Sequence, residues 1–246
     1  MKLERQQKIL DILSNGKYAS VEFLSKTLYV SMPTIRRDLA ELEEMGFVVR
    51  SHGGVIQRFN SDEPPLPFRT KVNMGAKLKL AKAAAQLLAD NMVVFLDESS
   101  TTSHIVEHLA EHKNIKVVTN SMVVLNRLAK LDAEAFCLGG IYSKDTMAFF
   151  GSGTEDMMRR FAVDIMFFAS SGLNDLGRIV DFSDPSTSLR RVALEQSEIK
   201  VYLCDQSKFG HRGTYSLMDL KDVDYAFFDA PLPAAVETGN ATISIV

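Results

Sequence analysis

The sequence predicts an α/β protein in two parts, a small helical module with a β-hairpin and a larger, mostly parallel, Rossmann-like sheet covered by helices. Three observations predict this class. Residues 1–57 show helical periodicity followed by a hairpin pattern. Residues 58–74 are polar and then proline-rich, as in an extended linker. Residues 75–246 alternate helical segments with short apolar strands, which is typical of a parallel α/β domain.

Composition places the chain among globular proteins. With 246 residues and 46% hydrophobic residues, it can bury a sizeable core. The first residues are charged, and no apolar run approaches the ~20 residues that span a bilayer, so we expect a cytoplasmic protein without a membrane partner. Cys137 and Cys204 lie in apolar, strand-like runs, which predicts reduced core thiols and no metal site.

Charge is distributed unevenly along the chain, whose formal net charge is -3. Residues 1–58 contain nine Lys/Arg and seven Asp/Glu, whereas residues 59–246 contain nineteen and twenty-four. The amino-terminal part is therefore the basic one. Because so small a surplus is common on solvated surfaces, the spacing of particular residues must decide whether it binds nucleic acid.

The first two helices are predicted from apolar spacing and from capping residues. Apolar side chains recur at helical intervals in LERQQKILDILSNG, residues 3–16. Ser20 can cap a second helix, VEFLSKTL, whose Phe23, Leu24 and Leu28 are expected to face inward. A tight turn then leads to a third segment, and this order predicts a helix-turn-helix.

The third helix is expected to present arginine to a partner. Ser31 is its predicted N-cap and Pro33 lies in its first turn, where a missing N–H is harmless. On a helical wheel Arg37 projects away from the buried stripe, which consists of Ile35, Leu39 and Leu42. Asp38 lies at the margin of that stripe, so we expect it to pair with a basic group or a backbone N–H inside the module.

The segment after the third helix reads as a wing. Residues 47–50 and 55–57 are predicted strands joined by a turn at residues 51–54. Such a wing places basic side chains beside the third helix, where arginines can reach base edges and glycines allow the backbone to approach phosphate. The surface fits duplex DNA. The predicted contact residues are Ser31, Pro33, Thr34, Arg36, Arg37, Arg50, Ser51, His52 and Gly53. A helical protein-interaction module is the alternative.

Residues 5–56 closely resemble the winged helix-turn-helix of DeoR-type transcription regulators. The resemblance rests on Glu4-Arg5, on the VSxxTIRRDLxxLE run at Val30–Glu43, and on RSHGG at Arg50–Gly54. It implies a DNA operator as partner. Val55 stands where a smaller residue is commoner in the family.

Polar loops follow several predicted strands of the second part. Because parallel strands carry their ligands at their carboxyl ends, these loops predict a binding pocket. FLDESSTTSHI places an acidic pair and a run of hydroxyls at a helix start, where phosphate fits. Loops containing TNS, GG and DQSK extend the same edge. The predicted ligand-binding residues are Asp97, Glu98, Ser99, Ser100, Thr101, Thr102, Asn120, Ser121, Gly139, Gly140, Asp205 and Lys208.

The order of these loops resembles the sensor domain of DeoR-type regulators. That resemblance implies a fold similar to sugar-phosphate isomerases, a phosphorylated sugar as effector and no other cofactor. Arg69 and Lys77 also match the family, and the resemblance adds Lys77 to the ligand-binding residues. Two features depart from the pattern: Ser99 stands where many members have glycine, and residues 182–191 lack a glutamate that members often carry.

The combined interpretation is a transcription regulator, a repressor of a carbohydrate-metabolism operon whose DNA affinity is controlled by a phosphorylated sugar. One winged module makes few base contacts, so we expect a homodimer or homotetramer on a repeated site. Two other classes stay open. An isomerase-like enzyme would use Asp97 or Asp205 as base with Lys208 as electrostatic partner, and a protein-binding scaffold would show no salt-dependent affinity for DNA.

Overall fold

The structure is a computed structural model that describes residues 2–16, 18–51, 53–57 and 64–246. The chain divides into two compact units, Met1–Asn73 and Met74–Val246. His52 of the predicted wing and residues 58–63 of the predicted linker lie outside the described residues.

The amino-terminal unit consists of four helices and a small antiparallel sheet. Its elements are α1 (Lys2–Gly16), β1 (Tyr18–Ser20), α2 (Val21–Leu28), α3 (Met32–Glu44), β2 (Val48–Ser51), β3 (Gly54–Gln57) and α4 (Leu66–Arg69). The sheet order is β1-β3-β2, so the predicted wing is confirmed and gains a third strand that the sequence did not suggest.

Helix capping follows the sequence with one exception. The Ser20 hydroxyl accepts a hydrogen bond from the Phe23 N–H at 3.0 Å, which confirms the predicted cap of α2. Ser31 precedes α3, but its hydroxyl lies 2.9 Å from that of Thr34 and does not cap the backbone. Phe23, predicted to face inward, is 52% exposed, because the buried stripe of this two-turn helix is centred on Leu24.

The core of this unit joins all four helices. The predicted stripe of α3 is confirmed: Ile35, Leu39 and Leu42 are at most 2% exposed. Part of the predicted linker also belongs to this core. Leu66–Arg69 is helical instead of extended, and the buried Phe68 ring meets Phe47 edge-on at 5.5 Å. An apolar Leu-Pro-Phe run gains more from burial than from extension in water, and Pro67 suits a first helical turn.

The predicted internal partner of Asp38 is Arg5. Asp38 is 1% exposed, and its carboxylate accepts hydrogen bonds from Arg5 Nε and Nη2 at 2.5 and 3.0 Å. The pair ties the start of α1 to the middle of α3. It therefore fixes the orientation of the helix that carries the exposed arginines.

The carboxyl-terminal unit is built on a seven-stranded parallel sheet. The strands of the whole unit are β4 (Val93–Leu96), β5 (Lys116–Thr119), β6 (Glu134–Cys137), β7 (Ile141–Ser143), β8 (Ala148–Phe150), β9 (Val163–Phe168), β10 (Gly172–Leu173), β11 (Arg178–Asp181), β12 (Ser197–Cys204), β13 (Tyr215–Asp219), β14 (Tyr225–Phe228) and β15 (Thr242–Ile245). The central order is β15-β14-β12-β9-β4-β5-β6. Two small antiparallel sheets, β10-β11-β13 and β7-β8, complete the unit.

Helices cover both faces of the central sheet. They are α5 (Met74–Ala84), α6 (Met122–Leu128), α7 (Ser152–Met158) and α8 (Asp184–Glu195), with 3-10 helices at Ala85–Leu87, Thr102–Glu111, Gln206–Lys208 and Leu220–Asp222. Two apolar clusters pack the two faces, one around Phe95 and Tyr202 and the other around Leu80 and Phe167. The predicted α/β class is therefore confirmed.

The two cysteines are free thiols, as predicted. They lie on β6 and β12, which are separated by three strands, so about 19 Å of sheet keeps them too far apart for a disulfide. Burial raises the pKa of Cys204 to about 12.

In the described part of the chain no helix has the length and apolar character needed to cross a bilayer.

Asp38→Ala is expected to lower the free energy of unfolding of the amino-terminal unit by about 2 kcal/mol, because it leaves the Arg5 guanidinium without its partner. Glu22→Ala is the control, since Glu22 forms an exposed ion pair with Lys26 on the surface of α2. Urea denaturation followed by circular dichroism tests the pair. Equal midpoints for the two variants would show that the Arg5–Asp38 contact contributes nothing.

Candidate functional site

The exposed face of α3 carries the basic residues that the sequence predicts for DNA. Pro33, Arg36 and Arg37 are exposed, and Thr34 is half-buried on the opposite flank from Arg36. Ser31 is also exposed at the start of the helix. Because the opposite face is held in the core, this side of α3 is the one that can enter a groove.

Glu43 positions the wing against α3. The Arg50 guanidinium lies 2.9 Å from the Glu43 carboxylate, and the Arg50 N–H donates to Glu43 Oε1 at 3.0 Å. Arg50 and Ser51 are both exposed on β2. Glu43 was not among the predicted site residues, although an acidic residue near the end of α3 and a basic one on the following strand are the signal for such a pair.

The two wing glycines have different physical roles. Gly53 has a φ of +72° with open space around its missing side chain, so the turn geometry requires it. At Gly54, a Cβ would lie 2.4 Å from the Ala19 carbonyl oxygen and 2.7 Å from the Tyr18 hydroxyl. Gly54 is therefore required for packing of β3 on β1.

In the second unit, the loop after β4 is buried and internally bonded. Ser99, Ser100, Thr101 and Thr102 are at most 6% exposed. The Ser99 and Thr102 hydroxyls lie 2.8 Å apart, and Thr102 donates to Asp97 Oδ1 at 2.7 Å. The loop continues into a 3-10 helix, Thr102–Glu111, where the sequence predicts an α-helix.

Asp97 holds this loop to the neighbouring strand. Its carboxylate accepts four hydrogen bonds of 3.2 Å or less, from the Ser99 N–H, the Thr102 hydroxyl, the Ala169 N–H and Arg190 Nε. So many internal donors fix its position.

Arg190 is the centre of a buried charge cluster. It is 4% exposed on α8, and its guanidinium donates to three carboxylates: Nε to Asp97 at 2.9 Å, Nη1 to Asp181 at 2.7 Å and Nη2 to Glu98 at 2.7 Å. All three acids are at most 3% exposed. Three carboxylates against one guanidinium give this cluster a formal charge of −2 when all are ionised.

Glu98 is the member of the cluster whose protonation is most disturbed. Burial raises the pKa of Glu98 above its ordinary value of 4.5; the charge of Arg190 opposes this shift, and that of Asp97 adds to it. Its second oxygen, Oε2, accepts a long hydrogen bond of 3.4 Å from Asn120 Nδ2. Ser186 at the start of α8 also donates to this carboxylate and favours its ionised form.

The loop after β5 brings Asn120 beside Glu98. Asn120 is fully buried, and its Nδ2 also donates to the Phe149 carbonyl oxygen at 3.1 Å. Its Oδ1 is buried and has no donor among the described residues. Ser121 caps α6 by accepting from the Val124 N–H at 3.3 Å. The structure therefore brings the loops after β4 and β5 into contact.

Of the two glycines after β6, Gly140 is required by packing, whereas a Cβ at Gly139 would meet no atom within 4 Å. Gly140 has a φ of +144°, and a Cβ there would lie 2.1 Å from Thr154 Oγ1. The Thr154 hydroxyl donates to the Gly139 carbonyl oxygen at 2.6 Å. The two glycines are exposed and lie next to β7, while Leu138 joins them to β5 through a 2.8 Å hydrogen bond to the Thr119 carbonyl oxygen.

The loop after β12 and the buried lysine of α5 complete the predicted set. Asp205 caps the short 3-10 helix by accepting from Ser207, and the Lys208 N–H donates to the Asp205 carbonyl oxygen at 3.0 Å. Lys77 is 4% exposed. Burial lowers the pKa of His104, and the charges of Arg127 and Lys77 lower it further.

Arg190 and Asp181 are the residues of this site that the sequence analysis missed. They lie on α8 and at the end of β11, about 80 to 90 residues after the β4 loop. A buried arginine is rare unless it is paired. The available signal was an arginine on the apolar face of a predicted helix, in a chain with several acidic residues at strand ends.

An arginine-bearing recognition helix beside a wing, together with an α/β unit that has a buried polar cluster at its strand ends, defines a DNA-binding regulator with a sensor domain. Two family matches agree with this class. The DeoR-like helix-turn-helix domain matches residues 5–60, and the DeoR C terminal sensor domain matches residues 72–230. The chain belongs to the DeoR family of transcriptional regulators.

Several characterised proteins are similar over nearly the whole chain. The L-fucose operon activator of Haemophilus influenzae is 34% identical over 232 residues, covering 93% of this chain and 92% of that protein. The glycerol-3-phosphate regulon repressor of Escherichia coli is 29% identical over 234 residues, covering 95% and 93%.

Among solved structures, ribose 5-phosphate isomerase A of Methanocaldococcus jannaschii has 19% identity and a TM-score of 0.42, covering 56% of this chain and 55% of its own. So low a score carries no argument about activity.

Arg190→Met is expected to destabilise the sensor unit by more than about 3 kcal/mol, because it leaves three buried carboxylates without their shared cation. Arg191→Met is the matched control, since Arg191 is exposed on the same helix and donates only to the Ser216 carbonyl oxygen among the described residues. Thermal unfolding of both variants provides the measurement, and an Arg190 variant as stable as the Arg191 variant would refute a structural role for the cluster.

Glu98→Gln is expected to flatten the pH dependence of stability. Since the folded state holds the Glu98 proton to a higher pH than the unfolded state, the wild type loses stability relative to Glu98→Gln as the pH rises from 4.5 through the raised pKa. Urea denaturation at several pH values between about 5 and 8 measures this difference. The control is Glu134→Gln, at a solvent-exposed position of β6. A constant difference across the range would contradict the prediction.

Proposed function

We propose that this protein is a cytoplasmic repressor of a carbohydrate-metabolism operon whose affinity for its operator is controlled by a phosphorylated sugar. The observation that carries the proposal is the presence of both DeoR domains in one chain, each with its own core. Relatives that regulate an L-fucose operon and a glycerol-3-phosphate regulon support a small carbohydrate or polyol phosphate as the signal.

In this proposal, DNA is bound through α3 and the wing. Arg36 and Arg37 supply base and phosphate contacts from α3, and Arg50, held by Glu43, supplies them from β2. His52, which lies outside the described residues, is proposed to contact DNA on the strength of the RSHGG motif. Since one copy offers few base contacts, the functional species is a homodimer or a homotetramer on a repeated operator.

The effector is proposed to bind at the carboxyl ends of β4, β5, β6 and β12. The Ser100 and Thr101 side chains make no hydrogen bonds to other described residues, so their hydroxyls can serve a phosphate, with Lys77 and Lys208 supplying positive charge. Glu98 and Asn120, which lie in contact with each other, then meet the polar groups of the sugar. Ligand acts on DNA affinity only insofar as it prefers one arrangement of the protein over another.

The enzyme alternative is less well supported by the geometry of its candidate bases. Asp97 already accepts four internal hydrogen bonds, and Asp205 accepts the N–H and hydroxyl of Ser207. A general base needs an oxygen that is available to a substrate proton. We therefore propose that the site senses its ligand without turnover, and incubation with phosphosugars followed by product analysis tests this.

The division of labour is tested by two single variants. Arg37→Ala is expected to weaken specific DNA binding by about 1 to 3 kcal/mol and to leave the thermal shift produced by a phosphosugar unchanged. Lys208→Ala is expected to abolish that thermal shift and leave DNA binding without ligand unchanged. Duplexes selected in vitro from a random pool and a screen of sugar phosphates provide the two probes. Loss of both activities in each folded variant would refute the assignment of one task to each unit.

A further inference from the structure

The effector site contains two neighbouring acceptor atoms that the protein does not fully supply with donors. Asn120 Oδ1 is buried without a donor among the described residues, and the adjacent Nδ2 of the same amide is 3.4 Å from Glu98 Oε2. The amide orientation is fixed, because Nδ2 also donates to the Phe149 carbonyl oxygen. A buried hydrogen-bond acceptor without a donor is unfavourable unless a ligand supplies the donor.

Glu98 differs in this respect from the other acids around Arg190. Asp97 has four donors at 3.2 Å or less, and Asp181 accepts from Ser171 N–H and hydroxyl and from Arg190. Glu98 accepts from Arg190 on Oε1 at 2.7 Å and from Asn120 on Oε2 at 3.4 Å, and its carboxylate also accepts from the Ser186 hydroxyl and from its own backbone N–H. The contact from Asn120 to Oε2 is long, so a donor on a ligand can replace it at that oxygen.

The charge of the cluster decides which donor fits best. Three carboxylates share one guanidinium, so the cluster is short of positive charge when all three are ionised. A sugar hydroxyl donates one hydrogen bond and carries no charge. A primary ammonium donates up to three, to a carboxylate and an amide oxygen at once, and charge-assisted hydrogen bonds are about twice as strong as neutral ones.

We propose that Glu98 and Asn120 form an ammonium subsite and that the effector is an amino sugar phosphate. This inference rests on the proposed function, since it specifies the ligand of that sensor site. The ammonium donates to Glu98 Oε2 and Asn120 Oδ1, while the phosphate lies at the hydroxyl-rich end of the loop, near Ser100 and Thr101. This arrangement keeps the phosphate away from the acidic cluster.

The test compares sugar phosphates that differ only by an amino group in place of a hydroxyl. Glucosamine, galactosamine and mannosamine 6-phosphates are titrated against glucose, galactose and mannose 6-phosphates on the full chain by calorimetry. We expect the amino member of at least one pair to bind roughly tenfold tighter or more, as a buried charge-assisted hydrogen bond implies. Glu98→Gln is expected to remove this preference, and Glu134→Gln, which changes an exposed glutamate of β6, is expected to retain it.

The outcomes separate this inference from the function on which it rests. If the hydroxyl members bind as tightly as their amino partners, or if folded Glu98→Gln keeps the preference, the ammonium subsite is wrong and the sugar-phosphate sensor stands. If no member of any pair binds, the sensor proposal and the subsite both fail. If Glu98→Gln fails to fold, the comparison of amino and hydroxyl sugar phosphates on the wild-type chain decides by itself whether the site prefers an ammonium.

Discussion

The sensor unit depends on the pairing of Arg190 with three buried carboxylates. A guanidinium and carboxylates removed from water are stable only when they meet in good geometry, so Asp97, Glu98 and Asp181 must reach the same point. They come from the loop after β4 and from β11, while Arg190 comes from α8. This one cluster therefore joins the central sheet, an antiparallel sheet and a helix, and fixes the loop on which the proposed effector site is built.

The same principle organises the DNA-binding unit on a smaller scale. Inside the unit, Asp38 pairs with Arg5 and orients α3; at its edge, Glu43 pairs with Arg50 and orients the wing. Asp38 and Glu43 are thereby paired with a basic partner inside the unit and on the wing, and Arg36 and Arg37 remain exposed. An electrostatically favourable approach to phosphate follows, since a carboxylate at the contact face would repel it.

Much of the fold follows from local patterns. Cap residues, the stripe of α3, the wing and nearly all strands of the central sheet are predicted by periodicities that each segment carries by itself. Other features do not follow from such patterns. Phe68 joins the first core although its segment is rich in proline. The strands β7, β8, β10, β11 and β13 are too short and irregular to show a recognisable pattern in the sequence.

By itself, the sequence determined the two-unit organisation, the recognition helix with its outward arginines, and the set of polar loops at the strand ends, because these depend on the order and spacing of neighbouring residues. Only the tertiary structure decided which of those polar groups are already satisfied. Asp97 proved to have four internal donors, while Asn120 Oδ1 is buried without a donor among the described residues. The deciding partner, Arg190, is 93 residues from Asp97, and no local rule connects a charge to a partner so distant in the chain.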